Sequence, residues 1–229
     1  MRLHRFYVKQ PLGEELVVGN KELLHQWTSV FRFKPGDQVL LFSSSPSDFL
    51  YTFITISKAE ATLSFVSKKD NIISEKMVLY MALVKKDTFE TIVRQATELG
   101  VTRIVPVLAS RSEKKNLNFE RLETIIKEAT EQSGRGDIPL ISQILSLKEA
   151  IVDSGDSLRV VGSLHGDSFK RGVIETKQAV SLWIGPEGGW TREEEDLFKK
   201  NDFTLVMIAP ETLRADTAAI SLISLARKA

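Results

Sequence analysis

AVSLWIGPEGGWTREEEDLFKK, residues 179–200, contains the signals of a strand, a loop and a helix in direct succession. Its first six residues form an apolar run that predicts a buried strand over 179–184. Its last nine predict a helix over 192–200, because Thr191 stands three residues before Glu194 in the pattern of a capping box. The loop between them, Gly185-Pro186-Glu187-Gly188-Gly189, contains three glycines, whose backbone can approach a ligand closely. Taken alone, this loop also fits a plain turn that joins a strand to a helix.

The same alternation of strand and helix continues through much of the chain. An apolar run over 78–84 is followed by apolar residues at three- and four-residue spacing from Phe89 to Leu99, which predicts a helix. We expect Asp87 to cap the N-terminus of this helix and Gly100 to end it. The other predicted elements are strands 102–107, 158–164 and 203–209, helices 119–133 and 147–153, and a final helix from about residue 216. Strands that alternate with helices predict an α/β fold, with a parallel sheet covered on both faces.

Residues 1–71 lack this alternation and predict β-structure instead. Runs rich in β-branched and aromatic residues, such as 38–42 and 51–66, are separated by turn residues at 34–37 and by a polar loop at 43–48. A short helical piece is expected around Lys21 to Phe31. The pattern predicts a small antiparallel barrel, and a polar boundary after residue 71 divides the chain into domains 1–71 and 72–229.

The composition is that of an ordinary folded protein, and it excludes several kinds of chemistry. Of the 229 residues, 42% are hydrophobic and 27% are charged. The chain has no cysteine, which excludes disulfides, cysteine-rich zinc sites, iron–sulfur clusters and a cysteine nucleophile. No apolar run approaches the roughly 18 residues of a membrane span, and the first residues have no apolar signal core. A cytoplasmic protein with no membrane contact is therefore expected.

The charge balance alone does not suggest nucleic-acid binding. The net charge is +1, with 9 basic and 7 acidic residues in 1–71 and 22 basic against 23 acidic residues in the rest. Proteins that bind nucleic acid often carry a strong basic excess. Any prediction of RNA binding therefore depends on local motifs.

Three loops should meet at one edge of the predicted parallel sheet. They are Leu164-His165-Gly166-Asp167-Ser168, the glycine-rich loop 185–189 and the segment 209–215, and each follows a predicted strand. Ligands of open α/β sheets bind beyond the carboxyl ends of the strands, so these loops are the predicted binding site. Neither the phosphate-binding G-x-x-x-x-G-K-[ST] pattern nor G-x-G-x-x-G occurs, which argues against ATP and dinucleotides. The three histidines lack metal-ligand spacing, so no metal is predicted.

Around these loops the sequence resembles the RsmE family of small-subunit ribosomal RNA uridine-N3 methyltransferases, within the knotted SPOUT superfamily. The resemblance runs nearly end to end, and the order and spacing of its pieces make it specific. The residues that carry it are Arg2-Leu3-His4-Arg5-Phe6-Tyr7-Val8, His25, Val30, Arg32, Gly36-Asp37, Thr97-Glu98-Leu99-Gly100-Val101, Pro106, Arg111-Ser112, Glu128-Ala129-Thr130-Glu131-Gln132-Ser133-Gly134-Arg135, Pro139, Ile184 to Gly189, Leu213-Arg214 and Thr217-Ala218.

The resemblance implies a fold and an activity. The expected fold is α/β, with a PUA-like RNA-binding β-barrel over 1–71 followed by a SPOUT methyltransferase domain over 72–229 that ends in a trefoil knot. The expected reaction is S-adenosyl-L-methionine-dependent methylation of N3 of a uridine in 16S ribosomal RNA of the small subunit. The expected assembly is a homodimer with each active site near the dimer interface.

The resemblance also implies roles for individual residues. Arg214 is expected to stabilise the negative charge that spreads onto the uracil oxygens when N3 loses its proton, with Arg135 contributing from the facing subunit. RNA contacts are expected from Arg2, Arg5, Arg32, Lys85 and Lys86. The residues expected to bind the cofactor are Leu164, His165, Ile184, Gly185, Pro186, Glu187, Gly188, Gly189, Ile208, Ala209, Leu213, Thr217 and Ala218.

The chain departs from the family pattern at several positions. Ala209-Pro210-Glu211-Thr212 stands where Gly-Pro-Arg is usual, Asp216 replaces Glu, Gln95 replaces a common Lys, and Trp190 replaces Phe. Two positive charges of the family, the Arg of Gly-Pro-Arg and the Lys at position 95, are therefore missing. Their loss is expected to weaken RNA contact or to alter substrate preference.

Three alternatives stay open at the level of sequence. Arg214 also fits a structural salt bridge to Asp216 or Glu187. A different SPOUT enzyme, such as a ribose 2′-O methyltransferase acting on transfer RNA, would share the cofactor loops but would not be expected to carry residues 131–135 or the N-terminal signature. A non-enzymatic ribosome-assembly factor on the same fold would bind RNA without turnover.

Overall fold

The structure, a computed structural model, describes residues 3–43, 46–71, 75–112, 116–169 and 179–227. The chain divides into two compact units: Met1–Ile73 together with Glu131–Asp137, and Ser74–Thr130 together with Ile138–Ala229. Arg2, one of the predicted RNA contacts, lies outside the described residues.

The first unit is built on a five-stranded mixed sheet. Its strands are β1 (Arg5–Tyr7), β2 (Glu15–Val18), β3 (Gln38–Phe42), β4 (Ser47–Ile56) and β5 (Ala61–Asp70), in the spatial order β1-β3-β4-β5-β2. The expectation of a purely antiparallel barrel is wrong for one pair, because β1 runs parallel to β3. In the described residues β1 and β2 are the two edges, so the sheet is open.

A short helical segment and a tight turn complete this unit as the sequence predicts. Helix α1 (Lys21–His25) is capped by the Asn20 side chain and continues as a π-helical turn over Gln26–Val30. The predicted turn before β3 is present: Gly36 has a φ of +94°, and the Asp37 N–H donates to the Lys34 carbonyl at 3.0 Å.

The second unit is a parallel sheet with helices on both faces, as predicted. Its elements are β6 (Met77–Ala82), α2 (Lys86–Glu98), β7 (Arg103–Leu108), α3 (Phe119–Ser133), β8 (Leu140–Ile141), β9 (Leu145–Ser146), α4 (Leu147–Asp153), β10 (Leu158–Ser168), β11 (Val180–Ile184), α5 (Arg192–Lys200), β12 (Thr204–Met207) and α6 (Ala215–Ala226). The strand order is β12-β10-β11-β6-β7-β8, with β9 also paired to β7, and every pair is parallel. The two-residue strands β8 and β9 were not predicted.

The core of this unit has a layer on each side of the sheet. Along β6, Leu79 and Met81 pack with residues of α2 and α6, whereas Tyr80 and Ala82 pack with residues of α4 and α5. Tyr80 stacks on Trp183 of β11 with ring centroids 4.1 Å apart. Side chains that alternate between the two layers anchor the sheet in the core. Because all of its strands are parallel, their carboxyl ends lie along one edge.

Several predicted boundaries differ from the structure by one or two residues, and larger consequences follow at the start of α2 and at the end of β10. The cap of α2 is Lys85 and not Asp87, because the helix begins one residue earlier than Asp87, which lies in its first turn near the positive end of the helix dipole. Strand β10 was expected to end at residue 164, but it continues to Ser168 with an irregularity between Gly162 and Asp167. Gly100, with a φ of +90°, follows α2 as predicted.

Within the described residues, no helix combines the length and the apolar character needed to cross a membrane.

Candidate functional site

A cavity of about 300 Å³ opens at the carboxyl ends of β10, β11 and β12, where the three predicted loops meet. All of its lining residues belong to the second unit. They are Arg111, Gly162, Ser163, Leu164, His165, Ile184, Gly185, Pro186, Glu187, Gly188, Gly189, Trp190, Glu195, Ile208, Ala209, Glu211, Thr212, Leu213, Ala215 and Ala218.

The structure brings together all but one of the residues expected to bind a cofactor. The exception is Thr217, which lies in the first turn of α6, is exposed and does not line the cavity. The lining combines apolar side chains from all three loops with the backbone of the glycine-rich loop, which is the usual make-up of a small-molecule site.

Close contacts explain the glycines of the loop 185–189. A Cβ atom on Gly185 would lie 3.1 Å from the Trp190 ring, and one on Gly188 would lie 3.2 Å from the Arg111 side chain. Gly189 has a φ of +67°, and its N–H donates to the Pro186 carbonyl at 2.8 Å. The loop therefore needs glycine for close approach at two positions and for its left-handed backbone at the third.

Trp190 joins the glycine-rich loop to β10. Its side chain is buried, and its Nε1–H donates to the Gly162 carbonyl at 3.2 Å. The ring also packs on Phe198 of α5 with centroids 4.9 Å apart. The replacement of the family's usual Phe by Trp190 thus adds a hydrogen bond between two walls of the cavity.

Arg111 holds the other side of the same loop. It follows β7, lines the cavity, and donates from Nη1 to the Gly188 carbonyl at 2.6 Å. Nearby, the Ser110 N–H donates to the Glu194 carboxylate at 2.7 Å, while Glu194 also closes the predicted capping box with Thr191. The capping box is confirmed, and its carboxylate additionally ties the loop after β7 to α5.

The irregular part of β10 forms a hydrogen-bonded cluster with Glu195 of α5. The Ser163 hydroxyl donates to Glu195, and His165 Nδ1 lies 3.1 Å from each oxygen of that carboxylate. Burial tends to raise the pKa of Glu195, but the hydrogen bonds from Ser163 and His165 outweigh it, and the pKa lies below its ordinary value. The carboxylate is therefore ionised at neutral pH.

The charged side chains of the cavity wall are mostly acidic. The wall contains three carboxylates, those of Glu187, Glu195 and Glu211, but only one guanidinium, that of Arg111. His165 adds an imidazole. Glu187 also accepts a hydrogen bond at 3.4 Å from the Lys85 N–H at the start of α2. Such a wall attracts a positively charged ligand.

The two arginines predicted to act in catalysis do not line the cavity. Arg214 is the N-cap residue of α6 next to the cavity loop, and its side chain is 80% exposed. Its Nε lies 3.5 Å from Asp216 Oδ1, which is the salt bridge considered above as the alternative to a catalytic role. Arg135 belongs to the first unit, is 6% exposed, and donates to Asp137 at 2.6 Å. The guanidinium of Arg135 is thus engaged in an ion pair within the first unit, and its contribution to catalysis stays a prediction.

The predicted RNA contacts differ in exposure. Arg5 is buried, with Nε 2.8 Å from Asp48 and its guanidinium 3.5 Å from the Phe42 ring centroid, and its contact with RNA stays a prediction. Arg32 is exposed and has a φ of +56°, which is unusual for a residue with a side chain. Lys85 and Lys86 are exposed at the N-terminus of α2.

Sequence reasoning missed three polar residues of the cavity: Arg111, Ser163 and Glu195. Arg111 had a usable signal, because it lies in the loop after predicted strand 102–107 and so at the same edge of the sheet. Ser163 lies inside a predicted strand, and Glu195 lies in a run of three glutamates of which the capping pattern selects only Glu194. Their convergence depends on how α5 packs against β10. No cluster of three potential metal ligands occurs among the described residues.

Comparison with known sequences finds relatives that extend over the whole chain. The model of the RNA methyltransferase domain family matches residues 73–227. The ribosomal RNA small subunit methyltransferase E of Aquifex aeolicus is 30% identical over 97% of this chain and 98% of its own. The protein of the same name from Rickettsia conorii is 26% identical over 99% of this chain and 96% of its own.

Solved structures show the same fold over both units. A methyltransferase from Legionella pneumophila, in complex with the bound cofactor SAM, has a TM-score of 0.89 at 27% identity and covers 99% of this chain and 97% of its own. Ribosomal RNA small subunit methyltransferase E from Neisseria gonorrhoeae, bound to S-adenosyl methionine, has a TM-score of 0.88 at 25% identity, covering 97% of this chain and 96% of its own.

Proposed function

By sequence and by fold this chain belongs to the ribosomal RNA small subunit methyltransferase E family, and on that premise we propose that it methylates N3 of one uridine in the 16S ribosomal RNA of the small subunit, with S-adenosylmethionine as methyl donor. The observation that carries the proposal is the cavity at the ends of β10, β11 and β12, whose walls suit that cofactor in size, polarity and charge. Relatives found with the same ligand bound support the choice.

The residues of the cavity fit an adenosyl cofactor. Its volume of about 300 Å³ lies at the lower end of the range of about 300 to 1,000 Å³ typical of small-molecule pockets. Leu164, Ile184, Ile208 and Leu213 offer apolar surface to a purine and ribose. The acidic side chains of the wall suit the positive charges of a sulfonium and an amino group.

The bound cofactor supplies a methyl group on a positively charged sulfur, which leaves as a neutral thioether without help from an acid. The protein has to position N3 of the uridine in line with that methyl group and to stabilise the negative charge on the uracil ring once N3 has lost its proton. We assign the second task to Arg214, since its exposed guanidinium adjoins the cavity loop.

RNA binding is assigned to the first unit together with the start of α2. Arg32, Lys85 and Lys86 are exposed cations that suit phosphate contacts, whereas Arg5 is used within the fold. The proposal includes a homodimer, as the family resemblance implies. Because small subunits are assembled in the cytoplasm, we place the reaction there.

The decisive experiment compares ribosomal RNA from cells with and without this protein. Mass spectrometry of 16S ribosomal RNA should show the loss of one 3-methyluridine in the deletion strain. The wild-type gene and a Gly19→Val variant should restore the modification, because a side chain at position 19 meets nothing within 4 Å. A Gly185→Val variant should not restore it, because its side chain crowds Trp190 and the cavity.

Two results would contradict the proposal. An unchanged modification map in the deletion strain would mean that the protein does not methylate this RNA. A loss of ribosome assembly without loss of any methyl group would favour a non-catalytic assembly factor, which a tritiated-methyl assay on undermethylated small subunits would verify.

A further inference from the structure

The cavity wall contains a histidine and a carboxylate arranged as a pair. His165 Nδ1 lies 3.1 Å from both oxygens of Glu195, and the Ser163 hydroxyl donates to the same carboxylate. The His165 backbone N–H in turn donates to the Ser163 hydroxyl oxygen at 3.0 Å. The Glu195 carboxylate, itself held by Ser163, thus positions the imidazole ring at the edge of the cavity.

This arrangement decides which imidazole nitrogen carries the proton. An ionised carboxylate only accepts hydrogen bonds, so the nitrogen beside it, Nδ1, must be the one that donates. The neutral ring then has its lone pair on Nε2. The Glu195 side chain is 9% exposed, whereas that of His165 is 72% exposed. The carboxylate is therefore the buried member of the pair, and the imidazole is the member that a substrate can reach.

The other titratable groups of the cavity suit proton transfer less well. Glu187 and Glu211 are carboxylates, and a carboxylate is a weak base at neutral pH. Arginine and lysine side chains donate hydrogen bonds but offer no acceptor, so neither Arg111 nor Lys199 of α5, the exposed basic residue that acts on Glu195, suits the removal of a proton. A neutral imidazole has one ring nitrogen with a free lone pair, which is what a general base requires.

We propose that His165 is the general base that takes the N3 proton of the uridine, with Glu195 as the positioning residue that sets its ring and tautomer. The inference rests on the proposed function and adds to it the group that removes the proton. In the step, the N3–H bond breaks and its proton forms a bond to Nε2, while the N3 electron pair forms a bond to the methyl carbon. The carbon–sulfur bond breaks, and its electron pair stays on the sulfur. The exposed imidazolium then returns the proton to water.

The test measures single-turnover methylation of undermethylated small subunits as a function of pH. His165→Ala and His165→Gln should lower the rate by about 100-fold or more. Because His165 also lines the cavity, the S-adenosylmethionine affinity of each variant is first measured by calorimetry, and the rates are compared at saturating S-adenosylmethionine. The wild-type rate should rise with pH and level off near neutrality, and this rise should be absent from both variants. Added imidazole should restore a measurable part of the His165→Ala rate, which a merely structural role would not produce.

Glu195 is tested in the same assay. Glu195→Gln keeps the size of the side chain but removes the charge that fixes Nδ1–H, so we expect a smaller loss of rate and a displaced pH profile. The matched control is Asp196→Asn, which removes a carboxylate from the neighbouring, exposed position of α5 and should leave rate and profile unchanged.

The outcomes separate the two proposals. If the wild type methylates small subunits and both His165 variants do so at the same rate with the same pH profile, the general-base assignment is overturned while the proposed function stands. If the wild type binds S-adenosylmethionine but transfers no methyl group to small subunits, the proposed function fails and this assignment fails with it.

Discussion

The Arg214 side chain is free to change its position, although it forms an ion pair in this structure. It caps α6 beside the cavity, its side chain is 80% exposed, and it pairs with Asp216 across 3.5 Å. Exposed ion pairs of this kind contribute only about 0 to 1 kcal/mol, so the guanidinium can turn toward an incoming RNA at little cost. The ion pair with Asp216 is therefore compatible with the catalytic role that we propose.

Replacement of Arg214 by alanine tests that role. We expect Arg214→Ala to lower single-turnover methylation by about 100- to 1,000-fold, the usual cost of removing one group that stabilises a developing negative charge. S-adenosylmethionine affinity should change little, because Arg214 does not line the cavity. Arg121→Ala, which removes another exposed arginine in an ion pair, is the control and should leave the rate unchanged. Normal methylation by Arg214→Ala would leave the residue with only the structural ion pair to Asp216.

Among the secondary-structure elements, β10 contributes most to the site. It pairs with β12 on both sides of an irregularity, first through residues 160–162 and again through Asp167 and Ser168. The intervening residues leave the regular ladder, and Ser163, Leu164 and His165 line the cavity. An irregular strand next to a binding site redirects side chains that a regular strand would place on alternate faces.

Gly166 is the position on which this path depends. A Cβ atom there would lie 2.5 Å from the backbone of Leu205 and Val206, atoms that cannot move aside as a flexible side chain would. We expect Gly166→Ala to push β10 and β12 apart, with a lower unfolding temperature and a loss of S-adenosylmethionine affinity measured by calorimetry. Gly13→Ala is the control, since its nearest neighbour is an ordinary contact at 3.9 Å. Unchanged stability and affinity in Gly166→Ala would show that the strand takes another path.

The elements that the sequence predicted best are those set by local signals. Helices 119–133, 147–153 and 192–200 have the predicted bounds, because periodic apolar residues and capping patterns act within a few residues. The parallel pairing of β1 with β3, the short strands β8 and β9, and the approach of Glu195 to Ser163 depend on contacts between distant segments, which local patterns do not contain. The trefoil knot implied by the family resemblance stays a prediction.

At the scale of the whole molecule, positive and negative charges nearly balance, but the carboxyl groups differ in their pKa. Among the residues that the structure describes, four carboxylates have a pKa below the ordinary value. In three of these carboxylates the leading cause of the lowered pKa is a hydrogen bond: Asp70 accepts from Ser47, Glu149 from Ser146 and Glu193 from its own backbone N–H. In Glu195, burial acts to raise the pKa, but the hydrogen bonds from Ser163 and His165 outweigh it. A carboxyl group that holds its proton less tightly when folded favours the folded state only while it is ionised.

The stability of the protein should therefore decrease in acid. The stabilisation by these groups is complete above the pKa of the unfolded chain, about 4, and is lost as the pH falls through the lower folded values. We expect the thermal unfolding midpoint to fall between about pH 5 and pH 3. Glu195→Gln should show a shallower decline than the wild type, with Asp196→Asn as the control. A midpoint that stays constant or rises over this range would contradict the prediction.

Trp190 gives the site a natural optical probe. The chain has three tryptophans, and Trp27 and Trp183 are fully buried in the cores of the two units, whereas Trp190 is buried against Gly185 and lines the cavity. A molecule that enters the cavity changes the surroundings of one indole and leaves the other two in their cores. Intrinsic fluorescence therefore reports when the cavity fills and empties, without a label and on the time scale of a stopped-flow mixing experiment.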